Sequence, residues 1–265
     1  MIKIVSWNIN SLRLRLPQLK ILSDKYQPDI ICLQETKVEN SQFPFQEIKK
    51  MGFSFIEFEG EKSYNGVAIL SKIPLQNINK IDVLNYGQKR HISATINIGD
   101  FKFELHNFYV PAGGDIPDIA INQKFYHKLR FLDWMCNFFH ENSQNQNIIL
   151  GDFNIAPSQF DVWSHRQLLN VVSHTQIEID KLNNLLDKGN FTDCHRNMAK
   201  KDEKLYSWWS YRAVDPLKSN RGRRLDHIWI VNDLKKKLID AKIYTEFRTY
   251  KSPSDHVPIA ICLGL

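Results

Sequence analysis

Short polar islands punctuate the apolar runs of this chain, and their side chains are of the kinds that hydrolyse phosphate esters. They read Trp7-Asn8, Gln34-Glu35-Thr36-Lys37, Asn107-Phe108-Tyr109, Gly151-Asp152-Phe153-Asn154, Arg224-Leu225-Asp226 and Ser254-Asp255-His256. Each follows or interrupts a segment with strand character, and strand ends are where a rigid sheet can aim distant parts of a chain at one point. The islands hold oxygen ligands, amides, a phenol and an imidazole. Brought together, these groups suit hydrolysis of a phosphodiester with a hard cation.

Glu35 closes an apolar strand, where an isolated carboxylate is ordinarily solvated or salt-bridged. Its neighbours change that reading, because Gln34, Glu35 and Lys37 set an amide, a carboxylate and an ammonium close together. Magnesium takes one or two carboxylates plus waters and phosphate oxygens, so Glu35 with one nearby aspartate suffices. Gly151-Asp152-Phe153-Asn154 is more specific. The glycine permits a close backbone approach, and Asp152 and Asn154 can point the same way from a strand end. Alone, such a run could be an Asx-turn; followed by Ile155-Ala156-Pro157, it has the look of a shaped catalytic loop. His256 can do acid–base or electrostatic work at neutral pH, and it needs a carboxylate from elsewhere to orient it. Asp226 is the candidate partner. His227, its neighbour, points to the opposite face of the strand and is structural, as are His91, His106, His127, His140, His165, His174 and His195. Tyr109 ends a strand before a turn-rich loop. A tyrosine there ordinarily packs with a satisfied hydroxyl, and only its company promotes it.

The elements that must position these islands follow from the same pattern. Residues 2–7 and 29–34 form strands, separated by a helix capped at Asn10-Ser11 and running to about residue 26; Pro17 is tolerable only near its first turns. Further strands occupy 53–58 and 66–71, and 91–98 with 101–108 make a hairpin around Gly99-Asp100. A helix spans 119–140, with Leu129, Leu132, Trp134, Met135 and Phe138 as its core. Residues 148–150 are a short buried strand that delivers Asp152. A helix over 175–188 closes at Gly189, and strands follow at 206–209, 225–231, 238–245 and 257–263. Hairpins mixed with strand–helix units imply sheet packed on sheet with helices outside, in one domain covering 1–265. Asn8 and Asn154 each follow a strand, a faint echo between the halves.

The chain has 265 residues, 43% of them apolar, with a formal charge of +6. That size and apolar share support a substantial core, and the positive balance favours a polyanionic partner. The four cysteines are far apart and form no CxxC pair, which argues against a zinc site or a disulfide framework and for buried thiols. The N-terminal apolar run is too short for a secretory signal and no stretch is long enough to span a membrane, so a cytoplasmic protein is expected.

Taken in order, the islands resemble the exonuclease III family of DNA-repair nucleases, within the endonuclease/exonuclease/phosphatase superfamily. The resemblance covers nearly the whole chain. It is carried by Ser6-Trp7-Asn8-Ile9-Asn10-Ser11-Leu12-Arg13, Leu33-Gln34-Glu35-Thr36-Lys37, Phe108-Tyr109-Val110-Pro111 and Gly151-Asp152-Phe153-Asn154-Ile155-Ala156-Pro157. Ser207-Trp208-Trp209-Ser210-Tyr211-Arg212, Asn220-Arg221-Gly222-Arg223-Arg224-Leu225-Asp226-His227 and Ser254-Asp255-His256 complete it. It implies a four-layered α/β sandwich, with two mixed sheets face to face between helices, and hydrolysis of DNA with Mg²⁺ or Mn²⁺. Members cut 5′ to abasic sites and trim 3′ ends. By position, the resemblance makes Glu35 a principal metal ligand with Asn8 nearby, and Asp255 a second ligand. Asp152, Asn154 and His256 also belong to the metal-proximal set. Asp152 would position or deprotonate the attacking water, Asn154 would hold the phosphate, and His256, oriented by Asp226, would stabilise the pentacovalent phosphorus. Tyr109 would contact the phosphate or assist the leaving 3′ oxygen. Lys37, Trp208, Arg212, Arg223 and Leu225 would contact the substrate, double-stranded DNA with abasic sites or 3′ ends, bound by a monomer.

Two positions depart from the family. Ala112 stands where relatives commonly carry an amide that touches the DNA backbone, and Arg223 where they often place an apolar wall of the abasic-sugar pocket. A cation at Arg223 could instead grip a phosphate and shift the balance toward end trimming. The superfamily also houses phosphatases of inositol phosphates and sphingomyelinases, so the core set alone does not name DNA. The basic, aromatic stretch with Trp208, Trp209, Tyr211, Arg212, Lys218 and Arg221 favours it, although such charge runs are often merely solvated. A non-catalytic DNA-binding relative is the reading from a different class, and metal-dependent cleavage separates the two.

Overall fold

The computed structural model describes residues 1–212 and 216–265. In chain order the first half comprises β1 (Ile2–Asn8), α1 (Leu12–Tyr26), β2 (Ile30–Gln34), α2 (Phe45–Lys50), β3 (Phe55–Glu59), β4 (Val67–Ser71), β5 (Leu75–Asn79), β6 (His91–Ile98) and β7 (Phe101–Tyr109). Then come α3 (Gln123–Glu141), β8 (Asn147–Asp152), α4 (His165–Leu168), α5 (Gln176–Lys188), β9 (Phe191–Asp193), α6 (Cys194–Met198) and β10 (Trp208–Trp209). The chain ends with α7 (Pro216–Ser219), β11 (Gly222–Arg223), β12 (Asp226–Val231), β13 (Leu238–Ile243) and β14 (Ile259–Leu263).

Two six-stranded sheets carry the architecture, in the orders β13-β14-β1-β2-β4-β3 and β5-β6-β7-β8-β12-β9, with β10 and β11 as a separate ribbon. Each large sheet has a single parallel pair, β1–β2 in the first and β7–β8 in the second, flanked by antiparallel neighbours. The internal echo therefore lies in the sheet layout: the end of β1 corresponds to the end of β7, not to Asn154. Period-two alternation explains the layering. Ile2, Ile4, Ile30 and Cys32 join Leu105, Ile148 and Ile228 of the facing sheet in one buried cluster. The alternate residues Val5, Trp7, Ile31 and Leu33 pack instead on Leu12, Leu19 and Leu22 of α1. On the far side α3 and α5 cover the second sheet, burying Phe125, Leu132, Met135, Phe139, Leu182 and Leu185.

The structure corrects several details of the pattern. Helix α1 has no side-chain cap; Ser11 sits at φ 86, and the backbone N–H groups of Ser11 and Leu12 donate to the carbonyls of Glu35 and Thr36. The helix is thereby anchored to the end of β2. Pro17 lies inside α1, and the helix gives way at Arg15, whose φ of −107 and ψ of 16 are not helical. Trp134 and Phe138 are only half-buried and stack on each other, with ring centroids 5.1 Å apart, at the margin of the core. Thr175 does cap α5 through a reciprocal bond with Glu178. Gly189 closes that helix in a right-handed conformation, and a Cβ there would lie 2.2 Å from the Phe191 ring, so lack of bulk is what the position requires. Strands β5 and β9 and helix α2 have too little apolar periodicity to be read from sequence. The cysteines are unpaired, three buried and Cys262 half-buried, and no helix among the described residues is long and apolar enough to cross a membrane.

A buried amide pair pins the sheets together below the end where the islands gather. Gln34 Nε2 of the first sheet donates to Asn107 Oδ1 of the second at 2.7 Å, and Asn107 Nδ2 donates back to the carbonyls of Leu33 and Ala68 at 2.9 and 3.0 Å. Removing the amide would leave buried acceptors unpaired. The Asn107→Ala variant is expected to lose roughly 2–3 kcal/mol of stability, read as a lower urea midpoint with an unchanged slope.

Candidate active site

The C-terminal ends of both parallel pairs open at the same rim, and these ends carry the islands. Asn8 is the last residue of β1, Tyr109 of β7 and Asp152 of β8, while Glu35 follows β2 directly. Strand β12 runs antiparallel to β8, so its first residue, Asp226, stands opposite Asp152 in register. The segment before β14 is tied to the same rim: Ser254 Oγ donates to the Asn8 carbonyl at 2.8 Å, and Trp7 Nε1 donates to the His256 carbonyl at 3.1 Å. Gly151 has φ 136, and a Cβ there would fall 1.9 Å from the Phe108 carbonyl oxygen; only glycine allows β7 and β8 to approach this closely beside Asp152.

His256 lies between two acids. Its Nδ1 meets Asp226 Oδ2 at 2.8 Å, and its Nε2 is 3.6 Å from Asp152 Oδ2. Ser207 Oγ donates to the same Asp226 oxygen at 2.6 Å. Burial works against the charged imidazole, but Asp226, Asp152 and Asp255 outweigh it and lift its pKa to about 10. Asp152 is 1% exposed. Burial is the largest influence on it, opposed by His256 and Asn8 and reinforced by Asp226 and Glu35, and its carboxyl is pushed up to about 7.

The second acid is joined to the first by one amide. Asn8 Nδ2 donates to Glu35 Oε1 at 2.8 Å and to Asp152 Oδ2 at 2.9 Å. Asn8 Oδ1 accepts from the Asn10 N–H at 3.1 Å, and through its nitrogen Asn8 is a donor that holds two carboxylates. Lys37 Nζ sits 2.7 Å from Glu35 Oε2 and donates to Asn10 Oδ1 at 2.8 Å. Burial would raise the Glu35 carboxyl, but Lys37 and Asn8 outweigh it and hold it below the usual range. Asp255 stands at the far end of this chain, one oxygen accepting from Asn10 Nδ2 at 2.8 Å and the other from Trp208 Nε1 at 3.0 Å.

Asn154 adopts φ 54, and its Nδ2 donates to the Val110 carbonyl at 2.9 Å and to Asp152 Oδ2 at 3.2 Å. Its amide nitrogen is thus spent on the loop, and no hydrogen bond from the described residues reaches its Oδ1. Tyr109 lies beside the two acids; burial, Glu35 and Asp152 hold its pKa well above 10. The Arg90 guanidinium stacks 4.6 Å from the centre of that ring. Sequence reasoning passed over Arg90, Asn10 and Ser207. The last two lie inside the quoted motifs, which was the available signal; Arg90 had none.

A cleft of about 710 Å³ opens onto these groups, lined by Glu35, Tyr109, Asn154, Asp255 and His256 together with Trp208, Arg212, Arg221, Arg223 and Leu225. Arg223 is not free to swing into it. Its Nη1 donates to the Val172 carbonyl at 3.0 Å and to Ser173 Oγ at 2.6 Å, and the guanidinium lies 5.4 Å from the Trp208 ring. Leu225 packs with Ala156, Val162 and Leu168 and is 4% exposed. Lys37 does not line the cleft, its ammonium being taken up by Glu35 and Asn10. Ala112 lines it without a polar side chain.

The donor set fits a hard divalent cation. Glu35, Asp152, Asn154 Oδ1 and Asp255 are oxygen donors, no thiol lies among them, and Glu35 already holds a side-chain cation against its outer oxygen. Asp152, Asp226 and His256 also present ligand atoms within 4.8 Å of one another. In that trio, however, Nδ1 of the ring is engaged with Asp226, which is the arrangement of an oriented acid–base group.

Fold and site together are those of a metal-assisted phosphoesterase. The chain belongs to the Endonuclease/Exonuclease/phosphatase family, whose model matches residues 5–256, and within it to the exonuclease III group. It is 31% identical to exodeoxyribonuclease III of Haemophilus influenzae, over 97% of this chain and 98% of that one. Two solved structures, the 3′ phosphatase NExo from Neisseria bound to a product DNA hairpin and an AP endonuclease from Archaeoglobus fulgidus, each superpose with TM-score 0.91 at 29% identity, covering 100% of both chains.

If Asp226 is what keeps His256 charged, the Asp226→Asn variant should lower the imidazole pKa from about 10 toward the ordinary histidine range. Histidine NMR titration of the metal-free protein reads this directly; an unmoved resonance would mean that another group holds the proton.

Proposed function

We propose that this protein is a divalent-metal-dependent DNA phosphodiester hydrolase of base-excision repair, acting as one catalytic domain over residues 1–265. It cuts 5′ to abasic sites, trims DNA 3′ ends, or does both, with Mg²⁺ or Mn²⁺ and as a monomer. The observation that carries this reading is the meeting, at the edge of a basic, aromatic cleft, of Asp226–His256–Asp152 with Glu35 through one Asn8 amide. The names of the similar proteins, among them an exodeoxyribonuclease III, an AP endonuclease and a 3′ phosphatase bound to DNA, support DNA as the substrate.

Glu35, with Asp152 and Asn154 close by, would hold the cation, which neutralises charge on the nonbridging phosphate oxygens when bound. Asp152 takes the proton of the attacking water. Its raised pKa makes it a competent base near neutrality, and Asn8 and Asn154 fix the direction of its oxygens. The water oxygen bonds to phosphorus as the bond to the 3′ oxygen breaks, and that oxygen leaves with the bonding pair and takes its proton from solvent water. His256, kept protonated by Asp226, faces the negative charge that accumulates on the phosphorane. Tyr109 keeps its own proton and can hydrogen-bond the leaving 3′ oxygen. Trp208 and Leu225 wall the space beyond, and Arg212 and Arg221 add positive charge at its edge. Arg223, clamped to residues 172–173, narrows that space and favours 3′-end trimming over accommodation of an abasic sugar.

Asp152→Asn and His256→Asn should each lower cleavage on the order of 100- to 1000-fold while leaving the fold intact. A duplex with one central abasic site, incubated with Mg²⁺ or EDTA, is the assay. Fragments with 3′-hydroxyl ends that appear only with metal, and only in the wild type, are expected. Near-normal rates in both variants would refute the assignment, and hydrolysis of inositol phosphate or phospholipid in place of DNA would transfer the protein to another branch of the family.

A further inference from the structure

Lys128 is fully buried in α3, far from any role the reaction above gives to a residue. Burial depresses its pKa, opposed chiefly by Glu178. Its ammonium has three hydrogens and finds three acceptors: the Asn154 carbonyl at 2.8 Å, the Ala112 carbonyl at 3.3 Å and the carboxylate of Glu178. Those acceptors belong to the loop after β8, the loop after β7 and the first turn of α5. Glu178, also fully buried, fixes the last of these by accepting from the Ser173 and Thr175 N–H groups at 2.9 and 3.1 Å. The stem of Lys128 packs so closely that a Cβ on Gly113 would come within 2.9 Å of it.

We infer that Lys128, paired with Glu178, is a positioning residue that locks the Asn154 peptide in the geometry hydrolysis requires. A buried ion pair adds little net stability over an apolar replacement of similar volume, so its value lies in what it orients. The object oriented here is specific. Asn154 stands at φ 54, and its amide steers Asp152. An ammonium on its carbonyl fixes the peptide plane from behind, where an apolar side chain would leave the carbonyl buried and unpaired. Misplacement of a reacting group by about 1 Å costs on the order of 100-fold in rate. Ala112, whose carbonyl Lys128 also holds, has no side-chain donor, so Lys128 engages both loops through their backbone carbonyls.

The inference rests on the reaction proposed above, and its test separates the two. Steady-state kinetics on abasic duplex and urea denaturation are measured for Lys128→Met, for Lys128→Arg and for Lys128→Met combined with Glu178→Gln. The double variant removes both charges while keeping an acceptor for the α5 turn, so that loss of folding does not obscure the result. Expected are a kcat about 10- to 100-fold lower in both Met variants, KM within about 3-fold, and partial recovery in Lys128→Arg. In an Asn154→Ala background Lys128→Met should cost less than about 3-fold further, because it acts through that residue. Unchanged kcat per folded molecule in the Met variants, or losses that multiply in the Asn154→Ala background, would overturn the inference. No cleavage by the wild-type protein of either abasic duplex or recessed 3′ ends would instead overturn the functional reading and this inference with it.

Discussion

A single side-chain amide joins the two halves of this molecule where its chemistry lies. Asn8 belongs to the first sheet, Asp152 to the second, and the Asn8 Nδ2 group donates to Asp152 and to Glu35 at once. Two carboxylates brought into one desolvated space repel, and burial adds to the cost of charging either. An amide with two N–H bonds is a neutral answer to that problem. It lets both acids share a rim, with Lys37 on the other oxygen of Glu35 and the Asn154 N–H on the other oxygen of Asp152. The remaining contacts at the rim secure this one: Ser254 holds the Asn8 carbonyl, Asn10 holds its Oδ1 acceptor, and the Gln34–Asn107 pair fixes the distance between the sheets one layer below.

Precision of this kind has a cost that can be located. Among the described residues ten buried side-chain atoms have no hydrogen-bond partner, although most such atoms in a folded protein find one, and two of them are Asp226 Oδ1 and Gln34 Oε1. Both lie within or directly beneath the site. Deeper in the molecule the Arg224 guanidinium is engaged at every nitrogen. Arg224 binds Asp161 through two nitrogens at 2.7 and 2.9 Å and Asp193 at 2.7 Å, and it keeps the adjoining β12 start, hence Asp226, in place.

Much of this was legible because the functional residues end apolar strands. The runs before Asn8, Glu35, Tyr109 and Asp152 could only be strands, and a parallel pair in each sheet brings their ends to the same rim. The match between Asp226 and His256 could be anticipated from chemistry, since an imidazole needs an orienting acid. What escaped was directional. Asn8 has the composition of a ligand, and only the folded geometry turns its nitrogen toward the acids. Arg223 has the charge of a phosphate grip, and only the fold commits its Nη1 to residues 172–173. Lys128 occupies a helix where lysine ordinarily means a solvated face, because a long charged side chain looks alike in sequence whether its head reaches water or three buried acceptors. Trp134 and Phe138 mislead in the opposite sense, apolar in sequence yet placed at an edge.

The most direct test of the central claim is the turnover number of Asn8→Ala at saturating DNA, followed as Mn²⁺ is raised to saturation. If Asn8 works by holding two acids from opposite sheets, turnover falls on the order of 100-fold and no concentration of cation restores it. Full recovery at high Mn²⁺ would contradict the account, because it would make Asn8 a ligand that mass action can replace and not the link between the sheets.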